Sequence, residues 1–135
     1  MVDAVENIGA LRLTQAWLAW VQKLAPAAGA LIAGFAVGVG NNLLNNLPLG
    51  LIAGGTLRAA HAKGLIAHAV LIAVDLGPNL SVTGSLATLL WLLALRKEKL
   101  DVSFWRFLQV GAIAMPVALL LSLGAAILMQ MLQSS

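Results

Sequence analysis

Two polar interruptions fall inside apolar runs that would otherwise be long enough to cross a membrane. The first apolar run, PAAGALIAGFAVGVG (26–40), carries no charge. It stops at NNLLNNLP (41–48), where Asn41, Asn42, Asn45 and Asn46 crowd ahead of Pro48, and resumes as LGLIAGGTL up to Leu57. The second pair of runs, GLIAHAVLIAV (64–74) and LATLLWLLAL (86–95), is joined through AVDLGPNLSVTGS (73–85). At ~1.5 Å per helical residue each arm reaches only roughly 20 Å, against a hydrocarbon core of about 30 Å. Joined in pairs, the arms span it. A last stretch, 107–132, has no charge at all and is long enough to span alone, with Pro116 as its one kink position.

These patterns predict helices near 27–39, 47–58, 64–75, 84–96 and 107–132, with irregular backbone at 41–46 and 76–83. Pro78 removes a backbone donor and, with Gly77, breaks the helix; Pro48 and Gly84 are the other breakers. Ahead of them, LRLTQAWLAWVQKLA (11–25) reads as an interfacial helix, with Trp17 and Trp20 at headgroup level. VDAVENIGAL reads as the end of a longer helix with Gly9 as its stop. The whole is one membrane domain over 1–135, expected to be part of a larger one. Segment 27–58 is either a re-entrant hairpin with the asparagines at its tip or a broken helix that crosses. In the crossing version Arg12, Lys23, Arg96, Lys97, Lys99 and Arg106 share one side against Arg58 and Lys63, which the positive-inside rule favours; in the hairpin version the count is even. Segment 64–96 is a broken transmembrane helix and 107–132 an unbroken one.

Composition turns this into a class. Hydrophobic residues make up 61% of the chain, charged residues 10%, and the mean hydropathy is +0.95. A soluble domain carries about 25% charged residues, so this is an all-α integral membrane protein in a lipid bilayer. The net charge of +3 is small and scattered, which leaves a nucleic-acid partner without support. No cysteine is present, so disulfides, thiolate metal sites and thiol nucleophiles are excluded from this chain. The first residues carry Asp3 and Glu6 and no basic n-region, unlike a signal peptide.

Polar groups at membrane depth need partners or a ligand. If both interruptions reach one depth, the amides of Asn41, Asn42, Asn45 and Asn46, the Asp75 carboxylate, Asn79, Ser81, Thr83 and Ser85 converge on a small polar solute. Half-helices meeting at an unwound segment are a common way for secondary transporters to build such a site. Asp75 is the candidate for a coupling proton, since an intramembrane carboxylate is costly and marks an ion or proton path. Its structural alternative is a cap on the N–H groups around Gly77 to Asn79. His68 lies seven residues earlier and can share its helix face, although a packed or interface histidine is the plainer account. There is no phosphate-binding loop, metal cluster or hydrolytic triad, so no enzyme and no cofactor is expected.

At these residues the chain resembles the arsenical pump membrane protein family, the arsenite/antimonite efflux carriers of the ion-transporter superfamily. NNLPLGLIAGGTL (45–57), the long run from VDLGPNLSVTGS to Leu121 and, more loosely, VDAVENIGAL carry the resemblance. It implies the C-terminal portion of a two-repeat secondary transporter in the cell (inner or plasma) membrane, multi-pass, with its N-terminal half missing. It further implies efflux of trivalent arsenic or antimony coupled to the proton gradient, and a soluble arsenite-stimulated ATPase as a partner of some members. Arsenite near neutral pH is mostly a neutral trihydroxide, which amides and hydroxyls can hold by hydrogen bonds. On this reading the chain alone is incomplete. The alternatives are a related carrier of Na⁺/H⁺ or a small anion, and a truncated remnant that transports nothing.

Overall fold

The computed structural model describes residues 9–133, and among these it is all helix and turn. Six α-helices follow one another: α1 (Ala10–Val21), α2 (Pro26–Leu44), α3 (Asn46–Ala59), α4 (Leu65–Leu76), α5 (Leu86–Lys97) and α6 (Phe104–Gln133). Two 3₁₀ turns, Gly77–Leu80 and Val82–Gly84, separate α4 from α5. The stretch 1–8, expected to finish a longer helix, lies outside the described residues. By length and composition α2 and α6 can each cross a membrane.

Pro26 opens α2 at its first helical position, where a missing N–H breaks no bond. The helix does not stop at the asparagines. It runs through Asn41 and Asn42 to Leu44, and the irregular backbone expected at 41–46 shrinks to Asn45 alone, at φ 68°. The reason is that Asn41 and Asn42 direct their side chains to a neighbouring element, and the one bond Asn42 makes within its own helix, to the Gly38 carbonyl a turn back, leaves the helical ladder in place. With ψ at 154° Asn45 lies outside the left-handed helical well that asparagine favours, in a region nearly reserved for glycine, so the corner is a strained point of the chain. Pro48 is no breaker either: it falls in the first turn of α3, where the absent N–H has no partner to lose.

Beyond Asn45 the chain reverses. Ala33 of α2 and Ala53 of α3 sit in one buried cluster with Val21 and Val70. A straight run would hold those two alanines ~30 Å apart. Helix α4 then lies parallel to α2, with Gly29 near Ile66, Gly34 near the Ala69 carbonyl and Gly38 against Gly77. Small residues on both faces permit that approach, as they do between membrane helices generally. Helix α6 comes back antiparallel: Leu123 covers Gly34, Leu119 covers Gly38, and Gly111 abuts the backbone of Asn79 and Leu80. Pro116 leaves α6 continuous. The core is therefore α2, α4 and α6, with Ala30, Ala69, Ala73, Met115, Leu119 and Leu123 buried between them.

Helix α5 stands apart. Ser85 caps it by accepting from the Ala87 N–H, yet none of its residues is buried, and Leu86, Leu90, Trp91 and Leu93 are all exposed. The outer face of α6 is equally bare, with Ile113, Leu121 and Leu128 exposed. Apolar surface on this scale is foreign to a soluble monomer and ordinary for helices that meet lipid.

A candidate solute site where two helix breaks meet

The Gly-Pro pair leaves α4 with backbone groups that the helix cannot satisfy. The Val74 carbonyl would accept from residue 78, but Pro78 has no N–H. Asn41 supplies the missing donor: its Nδ2 donates to the Val74 carbonyl at 3.0 Å and to the Ala73 carbonyl at 3.0 Å. Three rungs further on, the Gly77 carbonyl and the Ser81 N–H fail to meet. The side-chain amide of Asn42 inserts between them like an extra peptide group. Its Nδ2 donates to the Gly77 carbonyl at 2.9 Å, and its Oδ1 accepts from the Ser81 N–H at 3.0 Å. The same Oδ1 accepts from Ser81 Oγ at 2.8 Å, while Nδ2 also donates to the Gly38 carbonyl one turn back. Thr83 closes the knot, with its hydroxyl 2.9 Å from Ser81 Oγ and 3.2 Å from the Asn42 carbonyl.

Close approach makes this possible. A Cβ on Gly77 would stand 2.6 Å from both Asn41 Nδ2 and the Gly38 carbonyl. One on Gly84 would stand 2.6 Å from Pro78 Cα and 2.7 Å from Asn42 Oδ1. Pro78, Gly77, Gly84 and Ser81 are all buried.

The structure thus joins Asn41, Asn42, Ser81 and Thr83, and sets the other candidates apart. Asn79 is exposed and donates only to the Leu76 carbonyl, its own turn. Ser85 is the cap of α5, and Asn45 is the corner between α2 and α3. Asp75 is exposed on α4, and among the described residues its carboxylate takes part in no hydrogen bond or ion pair. No cap on Gly77 to Asn79 forms from it. His68 is exposed as well. The one ion pair among the described residues, Arg96 to Asp101 at 3.7 Å, joins an exposed side chain in the last turn of α5 to one in the loop beyond it and adds little stability.

Two atoms stand out against this satisfied network. Asn41 Oδ1 and Asn46 Oδ1 are buried and have no hydrogen-bond partner. Asn41 is wholly buried, and its Nδ2 is fixed by two carbonyls, so the orphan must be the oxygen whichever way the amide is drawn. Leaving such an acceptor unpaired costs about 1–3 kcal/mol, which makes each a place where a donor would bind favourably. Both are acceptors of an uncharged kind, and among the described residues no Lys, Arg, Asp or Glu bonds to any member of the cluster. Among the described residues no group of His, Asp and Glu is placed to hold a metal ion.

Sequence reading missed two contacts. Thr14 and Thr56 share a hydrogen bond of 2.8 Å that ties α1 to α3, and Thr56 also donates to the Ile52 carbonyl. Gly111 meets the Asn79–Leu80 backbone, a contact with no local signal because the partner lies some thirty residues away.

Comparison with known proteins adds a family. The sequence profile of the arsenical pump membrane protein matches residues 2–129. The arsenical pump membrane protein of Escherichia coli (strain K12) is 32% identical over 96 residues, which is 68% of this chain and 22% of that protein. Those of Shigella flexneri and Yersinia enterocolitica agree to the same extent, 32% over 96 residues. The aligned part is thus 22% of the length of these curated relatives. No solved structure matches the chain.

Proposed function

The chain belongs to the arsenical pump membrane protein family, and on that premise we propose that the junction of its two breaks forms part of the path by which trivalent arsenic and antimony leave the cell. The observation that carries this reading is the pair of buried, unpaired amide oxygens, Asn41 Oδ1 and Asn46 Oδ1. A neutral trihydroxide brings O–H donors and no charge, and so fits acceptors that need donors. An anion would bring acceptors to acceptors and find no Lys or Arg in the junction. Asn42, Ser81 and Thr83 serve as scaffold, because their polar groups are already engaged with one another.

In this reading the α2–α3 segment is a re-entrant hairpin whose corner, Asn45, lets the tip move and open the enclosed oxygens to solute. Asp75, exposed one residue before the end of α4 and unpaired, carries the coupling proton. A bare carboxylate on a membrane helix must meet water or a partner, and a group that binds and releases a proton needs that access. The intact carrier lies in the inner membrane as a multi-pass protein, its remaining segments complete the solute path, and a soluble ATPase is its partner where export is driven by ATP.

Uptake of arsenite into everted vesicles holding the full-length carrier tests the site. The Asn46 side chain makes no hydrogen bond among the described residues, so Asn46→Leu should leave the amount of protein in the membrane near normal. Arsenite uptake should fall several-fold, mainly through KM. Uptake equal to wild type would overturn the assignment of Asn46 to the solute.

A further inference from the structure

Building on that reading, we propose that the junction recognises hydroxyl donors rather than arsenic, and that the same site binds boric acid and other small neutral hydroxy acids. Three features of the chain point this way. The unpaired groups are amide oxygens, which accept from any O–H and have no preference for the element that bears it. The chain has no cysteine, so the soft thiolate chemistry that would single out trivalent arsenic or antimony is absent from it. The cluster's side chains carry no formal charge, and its remaining polar groups bond one another, so nothing in it rewards an anion.

Recognition then depends on size, neutrality and the number of O–H donors. Boric acid offers three donors on a small neutral centre, as arsenite does. Discrimination between two such solutes is intrinsically weak, because an amide oxygen accepts alike from an O–H on either centre. Inorganic phosphate has a similar size but is anionic at neutral pH. It would place negative oxygens against Asn41 Oδ1 and Asn46 Oδ1 with no cation to compensate.

Antimonite uptake into everted vesicles carrying the full-length carrier, at neutral pH with an imposed proton gradient, provides the test, with boron accumulation measured by mass spectrometry in parallel. Boric acid in excess should raise the KM for antimonite several-fold at unchanged kcat, and phosphate should leave KM where it was. Asn46→Leu should weaken antimonite uptake and boric acid competition by a similar factor. Normal antimonite uptake that boric acid does not touch would overturn the inference while leaving the arsenic site intact. Inhibition by phosphate as strong as by boric acid would also overturn it, since neutrality would then play no part. Gradient-dependent boron accumulation that is lost in Asn46→Leu, without antimonite uptake, would uphold the hydroxyl site and refute the arsenic assignment. Neither solute moving would refute both.

Discussion

Asn42 uses both ends of its side-chain amide to replace a helical rung that Gly77 and Pro78 take away. Four hydrogen bonds depend on that one group, two given and two received. Each is worth about 1 kcal/mol net, and truncation strands the Gly77 carbonyl and the Ser81 N–H in a buried place, so Asn42→Ala should cost about 3 kcal/mol or more. Thermal unfolding in detergent, followed by the fluorescence of the four tryptophans, measures it. Asn42→Asp should be no milder, since it keeps the acceptor and loses both donors. For Asp75 the expectation differs in kind. With no hydrogen bond to lose, Asp75→Asn should leave stability and membrane content near normal, while gradient-driven arsenite uptake collapses and Asp75→Glu retains part of it. Uptake by Asp75→Asn at the wild-type rate would remove the carboxylate from coupling. The sequence pointed to all of these residues, because asparagines and an acid among apolar neighbours are conspicuous. It could not divide them into scaffold and open groups. That division depends on Val74 losing its partner to Pro78 and on Asn41 lying across from it, a pairing of positions 33 residues apart.

At the scale of elements, the break after α4 was legible because Gly-Pro has a local and nearly unconditional effect on a helix. The end of α2 was not. Four asparagines look like a loop when their partners are unknown, yet three-dimensional partners keep Asn41 and Asn42 helical, and only Asn45 leaves the helix. Glycines make the contrast measurable. Gly77 has the Gly38 carbonyl and Asn41 Nδ2 each 2.6 Å from where a Cβ would sit, whereas Gly54 on α3 has nothing within 4 Å. Gly77→Ala should therefore destabilise by about 1–3 kcal/mol through forced separation of α2 and α4. Gly54→Ala, in an exposed helical position, should stabilise by up to about 1 kcal/mol. Melting temperatures of the two variants in one detergent should move in opposite directions; a Gly77→Ala protein as stable as wild type would mean that α2 and α4 do not approach this closely.

At the scale of the molecule, the reversal at Asn45 decides where the loops go. Because α3 returns along α2, the start of α2 and the 60–64 loop lie at one end of the bundle. Helix α6 runs against α2, so its Phe104 end lies with the break at the other. The charge pattern argued for a straight broken helix, but a count of loop charges is a weak force beside the packing of Ala33, Ala53, Val21 and Val70 into one cluster. The hairpin leaves four basic side chains at each end, Arg12, Lys23, Arg58 and Lys63 against Arg96, Lys97, Lys99 and Arg106. Charge then gives this chain no orientation of its own. It also places the junction off-centre: Asn41 is ~22 Å along α2 from Pro26, and Gly111 only ~10 Å along α6 from Phe104. The absence of native cysteine in the chain allows a direct check. Single cysteines at Gln22, Ala62 and Glu98, introduced one at a time with any cysteines in the rest of the carrier replaced, can be labelled by a membrane-impermeant maleimide in right-side-out and everted vesicles. Gln22→Cys and Ala62→Cys should react from the same side and Glu98→Cys from the opposite one. Labelling of the first two from opposite sides would mean that the segment crosses instead of turning back. The breaks would still meet only if α4 reversed with it, and the bonds from Asn41 to Ala73 and Val74 would have to form in some other way.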